Sequence, residues 1–350
     1  MVNCEKRFDL FDLFKLLASI LIFVMHISAF SSVNSDFQFY AVELLARWGV
    51  PFFFITSAFF LFSKGDKGRI SSNVLLNYVK RIVFLYLIWF AFNFPQVAYS
   101  KFIANNGITD YLNWLSFFKN IIFSSTFTGS WYLTSSIFGA CFVYFICKKL
   151  STKSAILISS VLYLFCILTS AYGNIFSADF NNSISKFFAT PCNSIICSPL
   201  FFAIGKYIAE NVRKVNKLRL STCVIGTVVC AGLYYVEIIV SKHFGLLRST
   251  DASFLVIPWA IFMVLWCIKS NCKIKGAKYM RKLSTIIYCS QGIILLASSV
   301  ICTKIFKIDV THNTFSLIRF ALGTAMIIVC IVAVLLLQRF TKFKWTKYMT

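Results

Sequence analysis

Acidic residues are scarce in this chain. Twelve Asp and Glu stand against 35 Lys and Arg in 350 residues, and all charged residues together make up 13%. A soluble globular domain carries about a quarter, so a water-facing surface of ordinary size is excluded. Histidine is rarer still: there are three, far apart, and no two cysteines are spaced C-x-x-C, which leaves a zinc site without support. No glycine-rich phosphate loop is present, so nothing points to an ATP-driven pump. No repeat, low-complexity tract or soluble domain breaks the chain. The first apolar run lacks a small-x-small cleavage site and is longer than the core of a signal peptide, so it reads as a membrane helix.

What is present is apolar. Hydrophobic residues make up 59% of the chain, 40 of them Phe, and they fall into runs with short polar stretches between. A hydrocarbon slab about 30 Å thick takes roughly 20 helical residues. Runs of that kind lie at 11–30, 41–62, 80–98, 131–147, 154–173, 192–209, 219–240, 253–270, 284–303 and 315–337. The expected fold is therefore an all-α polytopic bundle of about ten transmembrane helices, one membrane domain over 1–350 with no separate soluble domain. Most of the 13 cysteines lie inside these runs, where a thiol behaves as a small hydrophobe. Cys192 and Cys197 are close in sequence, but that is a weak signal for a disulfide.

The net charge of +23 would point a soluble protein towards nucleic acid. Here its placement explains it better. If the N-terminus is inside, the cytoplasmic segments hold 25 Lys and Arg and the external ones 8, with Lys15 and Arg47 inside spans. That bias, alternating loop by loop, is the positive-inside pattern; it places both termini inside and removes the case for a nucleic-acid partner. The longest connection, 99–130, falls outside, and its stretch 111–118 reads as an interfacial or re-entrant helix.

Ionisable groups within a membrane are costly, so each is a functional candidate. The first run carries Asp12, Lys15 and His26. At 100° per residue all three fall within about 60° of one another, with Lys15 and His26 about 16 Å apart along the axis. An interfacial Asp12–Lys15 pair with a core histidine bonded to a carbonyl would also account for them. The second run carries Glu43 and Arg47, an acid–base pair at i,i+4. Arg47 and His26 come out at similar depth below the outer surface, which makes contact between them plausible. Glu237 and Arg319, near the outer ends of their runs, read as interfacial charges that snorkel.

The stretch from Arg7 through Asp12, Lys15 and Ala18 to Phe23-Val24-Met25-His26 resembles the opening of the acyltransferase-3 family, multi-span bacterial proteins that acylate surface glycans. Arg47 followed by Val50-Pro51-Phe52-Phe53-Phe54 and Ser57-Ala58 is similar to that family's second helix, Arg81 with Tyr86 and Trp89 to its third, and Ser130-Trp131-Tyr132-Leu133 to the entry of its fourth. The likeness is strongest over 7–89. It departs at Tyr78, where the family often has an arginine, at Ala58 in place of a glycine, and at Tyr288-Cys289-Ser290-Gln291, where a late histidine is common.

The resemblance implies a membrane O-acyltransferase of the bacterial cytoplasmic membrane in single-domain form. Such a protein moves an acyl group, expected to be acetyl, from cytoplasmic acyl-CoA to a hydroxyl of a surface or lipid-linked glycan, without a bound cofactor. It implies His26 as base, Arg47 beside it to stabilise charge or orient the acceptor, and Lys15, Lys80 and Arg81 for the donor phosphates. Asp12 would pair with Lys15, and Glu43, Ser57, Trp131, Tyr132, Tyr288 and Gln291 would support the site. The alternatives are a glycolipid or polysaccharide transporter or flippase, whose charges would line a path, and a structural or sensory subunit. Against transport, no paired Gly/Pro-broken helices suggest inverted repeats.

Overall fold

The structure is a computed structural model that describes residues 8–99, 114–188, 190–340 and 344–350. Described residues form helices throughout: α1 Asp9–Ile27, α2 Ser35–Phe62, α3 Ser72–Ala98, α4 Trp114–Phe123, α5 Ser130–Lys149, α6 Thr152–Ala171. They continue with α7 Ala178–Phe187, α8 Ser198–Glu210, α9 Leu220–His243, α10 Val256–Lys269, α11 Ala277–Ile305 and α12 Phe315–Phe340. Among the described residues nine helical stretches are long and apolar enough to cross a membrane, one of them the joined α7–α8 stretch, and α10 is a shorter tenth. All ten runs expected from the sequence are helical over most of their length. Of the interfacial helix expected at 111–118, residues 114–118 belong to α4, and 111–113 lie outside the described residues.

The buried centre is α2. From Gly49 to Phe62 nearly every side chain is enclosed, with Phe52, Phe54 and Phe59 among the most buried in the protein. Around it lie α1, α5, α8 and α10. The outer helices α3, α9 and α12 keep large apolar side chains such as Leu87, Val228 and Val329 on their open faces. In water that would be a liability; against lipid tails it carries no cost, and membrane lipid is the solvent these faces fit.

With no hydrophobic drive between helices inside a bilayer, close contact depends on small residues. A Cβ on Gly205 of α8 would lie 2.5 Å from the Ile55 carbonyl oxygen and 2.6 Å from the Ala58 Cβ of α2. Neither neighbour is a flexible side-chain end. Gly205→Ala is therefore expected to push α8 off α2 and cost about 1–3 kcal/mol, read as a lower unfolding midpoint of the purified protein. An unchanged midpoint would mean that the helices are not this close.

Two helices are short. At 13 and 14 residues, α8 and α10 span only about 20 Å each. The chain before each is irregular: a 3-10 turn at Pro191–Asn193 before α8, and the loop 249–255 before α10. Irregular backbone at membrane depth is tolerated where it lines a polar cavity, and these two loops do so at the end of the bundle reached by the C-terminus of α1.

The charge count makes the topology testable. Reporter fusions after residues 35, 110, 180, 247 and 310 are expected to read outside, and after 68, 151, 215, 275 and 350 inside. Two neighbouring loops on one side would overturn the ten-helix arrangement.

Candidate functional site

The ionisable groups gather at two levels. At the level where α1 begins, the Asp12 carboxylate is buried and held by two 2.8 Å hydrogen bonds from Arg281 of α11. This corrects the expected Asp12–Lys15 pair. Arg281 offers a planar two-point donor that a lysine cannot match. Asp9 on the same turn accepts from the Ile274 amide 3.0 Å away, which ties the chain entering α11 to α1. Among the described residues Lys15 has no ion pair, and its ammonium lies 5.4 Å from the centre of the Phe60 ring. Lys80 and Arg81 stand exposed on α3.

Arg281→Ala would strand the Asp12 carboxylate. The expected loss of stability is about 1.5–3 kcal/mol, and Asp12→Asn in the same background should recover part of it by removing the charge. If the double variant is no more stable than Arg281→Ala, the pair does not hold α1 to α11.

Between the two levels runs a stack of rings and hydroxyls. Tyr132 packs on Phe54 with centroids 4.7 Å apart and edge-on to Tyr288 at 5.6 Å. Its hydroxyl lies 3.3 Å from the Ser57 hydroxyl, and Tyr288 donates to the Gly129 carbonyl at 3.2 Å. Gln291, one turn from Tyr288, is fully buried, and neither amide atom is hydrogen-bonded among the described residues. These are four of the six side chains named as supporting. Trp131 lies edge-on to Phe54 at 6.0 Å.

The other level holds an open cavity of about 660 Å³, lined by His26, Arg47, Trp131, Asn193, Asp251 and Tyr288 among others. His26 and Arg47, set at equal depth by helix geometry, thus face one space. His26 is exposed to it, and no protein hydrogen bond holds either ring nitrogen among the described residues. A structural histidine in a core would be tied to a carbonyl or hydroxyl; this one is not.

Arg47 is fixed, though not by Glu43. It donates from Nη1 to Asp251 at 2.5 Å and from Nη2 to the Thr250 hydroxyl at 2.6 Å. The expected i,i+4 pairing assumed a regular helix. Instead α2, after a first turn Ser35–Phe37, runs as a π segment over Gln38–Glu43, has one α turn over Leu44–Ala46, and resumes only at Gly49. Arg47 sits in that break. Irregular turns of this kind collect at functional sites.

Glu237 corrects a third expectation. Its carboxylate does not snorkel but accepts from the Phe254 and Leu255 amides, both at 2.8 Å, and from the Tyr172 hydroxyl at 2.7 Å. A carboxylate on the free amides that open α10 caps that helix and suits its dipole. It therefore fixes the loop bearing Thr250 and Asp251. Arg319 forms no ion pair among the described residues, and Cys192 and Cys197 are free thiols.

Sequence reasoning missed Asp251. A signal for it existed: only 12 acidic residues occur, and this one stands two positions before the run 253–270.

Comparison with known proteins agrees with this picture at the level of family. The family described as "Acyltransferase domain" matches residues 8–339. Among curated proteins, two named amino-acid racemase from Enterococcus faecalis are similar. One is 28% identical over 264 residues, which is 73% of this chain and 35% of that protein. The other is 25% identical over 354 residues, 98% of this chain and 48% of that protein. The chain spans less than half the length of these relatives, and the activity in their name is that of the longer proteins. No solved structure matches the chain. The domain match runs from the opening of α1 to the end of α12, and this multi-pass membrane protein belongs to the acyltransferase-3 family.

Proposed function

We propose that the protein is an O-acyltransferase of the bacterial cytoplasmic membrane. It takes an acyl group, acetyl in the simplest case, from cytoplasmic acyl-CoA and passes it to a hydroxyl of a surface or lipid-linked glycan. The observation that carries this is His26, open to a cavity and free of protein hydrogen bonds among the described residues, next to a guanidinium that the loop before α10 holds still.

The acceptor hydroxyl attacks the thioester carbonyl as His26 takes its proton, which an imidazole can do near neutral pH. Negative charge moves to the carbonyl oxygen, and Arg47 is placed to balance it. When the C–S bond breaks, the CoA thiolate leaves and His26 returns the proton to sulfur, so the base is restored. With both termini inside, Lys15, Lys80 and Arg81 lie at the cytoplasmic level, where the donor's phosphates arrive. Since Asp12 is already taken by Arg281, the Lys15 ammonium is free to meet an anion. The ring and hydroxyl stack of Ser57, Tyr132 and Tyr288 lies between the donor charges and His26, along the way a pantetheine arm would take.

Purified protein with acetyl-CoA and a glycan acceptor tests the reading: release of CoA that depends on the acceptor is expected, and a transporter would give none. Arg81→Ala should raise the donor KM more than it lowers kcat, because a phosphate contact is made equally in ground and transition states. An unchanged donor KM would move the donor site away from α3.

A further inference from the structure

A second cavity shares a wall with the first. It measures about 450 Å³, lies at the same end of the bundle, and is lined in part by Thr169, Ser170, Asn181, Ser185, Arg248 and Asp251. Asp251, whose carboxylate holds Arg47, faces both spaces. The groove is built from the end of α6, the amphipathic helix α7, and the loops before α8 and α10.

Its chemistry differs from the apolar body of the protein. Beside Ile184, Phe188 and Pro191 the lining carries hydroxyls, an amide, the Asp251 carboxylate already paired with Arg47, and the Arg248 guanidinium. Arg248 is exposed and pairs with no acidic side chain among the described residues. It is nonetheless placed: its backbone amide donates to the Ala171 carbonyl at 2.7 Å. Its side chain crosses Gly173, where a Cβ would come within 2.8 Å of Arg248 Cδ and 3.3 Å of Asn181 Oδ1. Absence of a side chain at Gly173 thus lets the guanidinium and the amide lie over one spot. Asn181 donates to the Gly173 carbonyl at 2.8 Å, and its own Oδ1 is buried without a donor among the described residues. Hydroxyls and amides in an open groove match sugar hydroxyls, and a fork of N–H donors with no acidic partner among the described residues matches a phosphate or carboxylate.

We propose that this groove is the acceptor subsite and that its ligand is an anionic saccharide, a glycan carrying phosphate or carboxylate. Arg248 takes the anion, Asn181 and the neighbouring hydroxyls take the sugar ring, and the hydroxyl to be acylated reaches His26 past Asp251. The assignment of the groove as acceptor subsite rests on the acyltransferase reading; the binding of an anionic sugar can be measured without turnover.

The test is calorimetric titration of glucose 6-phosphate and of glucose into the full chain in nanodiscs of neutral lipid. Glucose 6-phosphate should bind more tightly than glucose. Arg248→Ala should weaken glucose 6-phosphate by about tenfold or more, as loss of a charge-assisted contact does, and leave glucose unchanged. Arg248→Lys should restore part of the affinity, since it keeps the charge and loses the fork. Matching unfolding midpoints of wild type and variants establish that the fold is intact. Equal affinity for both sugars, or an Arg248→Ala protein that binds glucose 6-phosphate as wild type does, overturns the proposal. So does Arg248-dependent binding to nanodiscs containing phosphatidylglycerol without binding of the sugar, because the anion would then be a lipid headgroup. Binding as expected in a protein that transfers no acyl group would sink the acyltransferase reading alone.

Discussion

His26→Gln is expected to lower acyl transfer by about 10²–10⁴, the usual contribution of a general base, while the protein still inserts and folds. Glutamine keeps a polar side chain of similar reach, yet its amide cannot accept a proton near pH 7. A purely structural histidine would behave differently, because a lost hydrogen bond is worth only about 1 kcal/mol, and His26 makes none with the protein among the described residues. His26→Ala separates the readings less well, since it removes size along with chemistry. The measurement is glycan O-acylation in membranes holding matched amounts of each protein. Near wild-type activity in His26→Gln would leave the cavity without a base.

Arg47→Ala is expected to cost about 10²–10³ in kcat, the scale for losing one preorganised group that meets developing negative charge. It also strands Asp251, so a loss of stability must be kept apart from a loss of chemistry. Arg47→Lys does this. It keeps a cation near His26 but cannot serve Asp251 and Thr250 through one rigid fork, so its activity should fall between wild type and Arg47→Ala. Glu237→Gln should act in the same direction more weakly, because Glu237 reaches the site only through the loop it caps. If Arg47→Ala raises the acceptor KM and leaves kcat alone, Arg47 binds the acceptor and does not meet the transition state.

Number and placement of helices were legible in the sequence because both depend on quantities local to the chain. Run length against hydrocarbon thickness sets each span, and the lysines and arginines of the flanking loops argue for its direction. His26 and Arg47 were legible for the same reason: an ionisable group in an apolar run is conspicuous, and depth along a helix is simple arithmetic.

Partner choice was not legible. Arg47 lies four residues from Glu43 and 204 from Asp251, yet the distant carboxylate holds it. Asp12 lies three residues from Lys15 and 269 from Arg281, and again the distant partner holds it. Rules for neighbours on a helix assume regular turns, and α2 breaks its turns where Arg47 sits. Depth in the membrane and the list of charges are properties of the sequence by itself. Which charges meet, and that two short helices leave a cavity where His26 stands free, were decided by the tertiary structure, because a charge in a low-dielectric interior takes whichever partner the packing of other helices brings within hydrogen-bond reach.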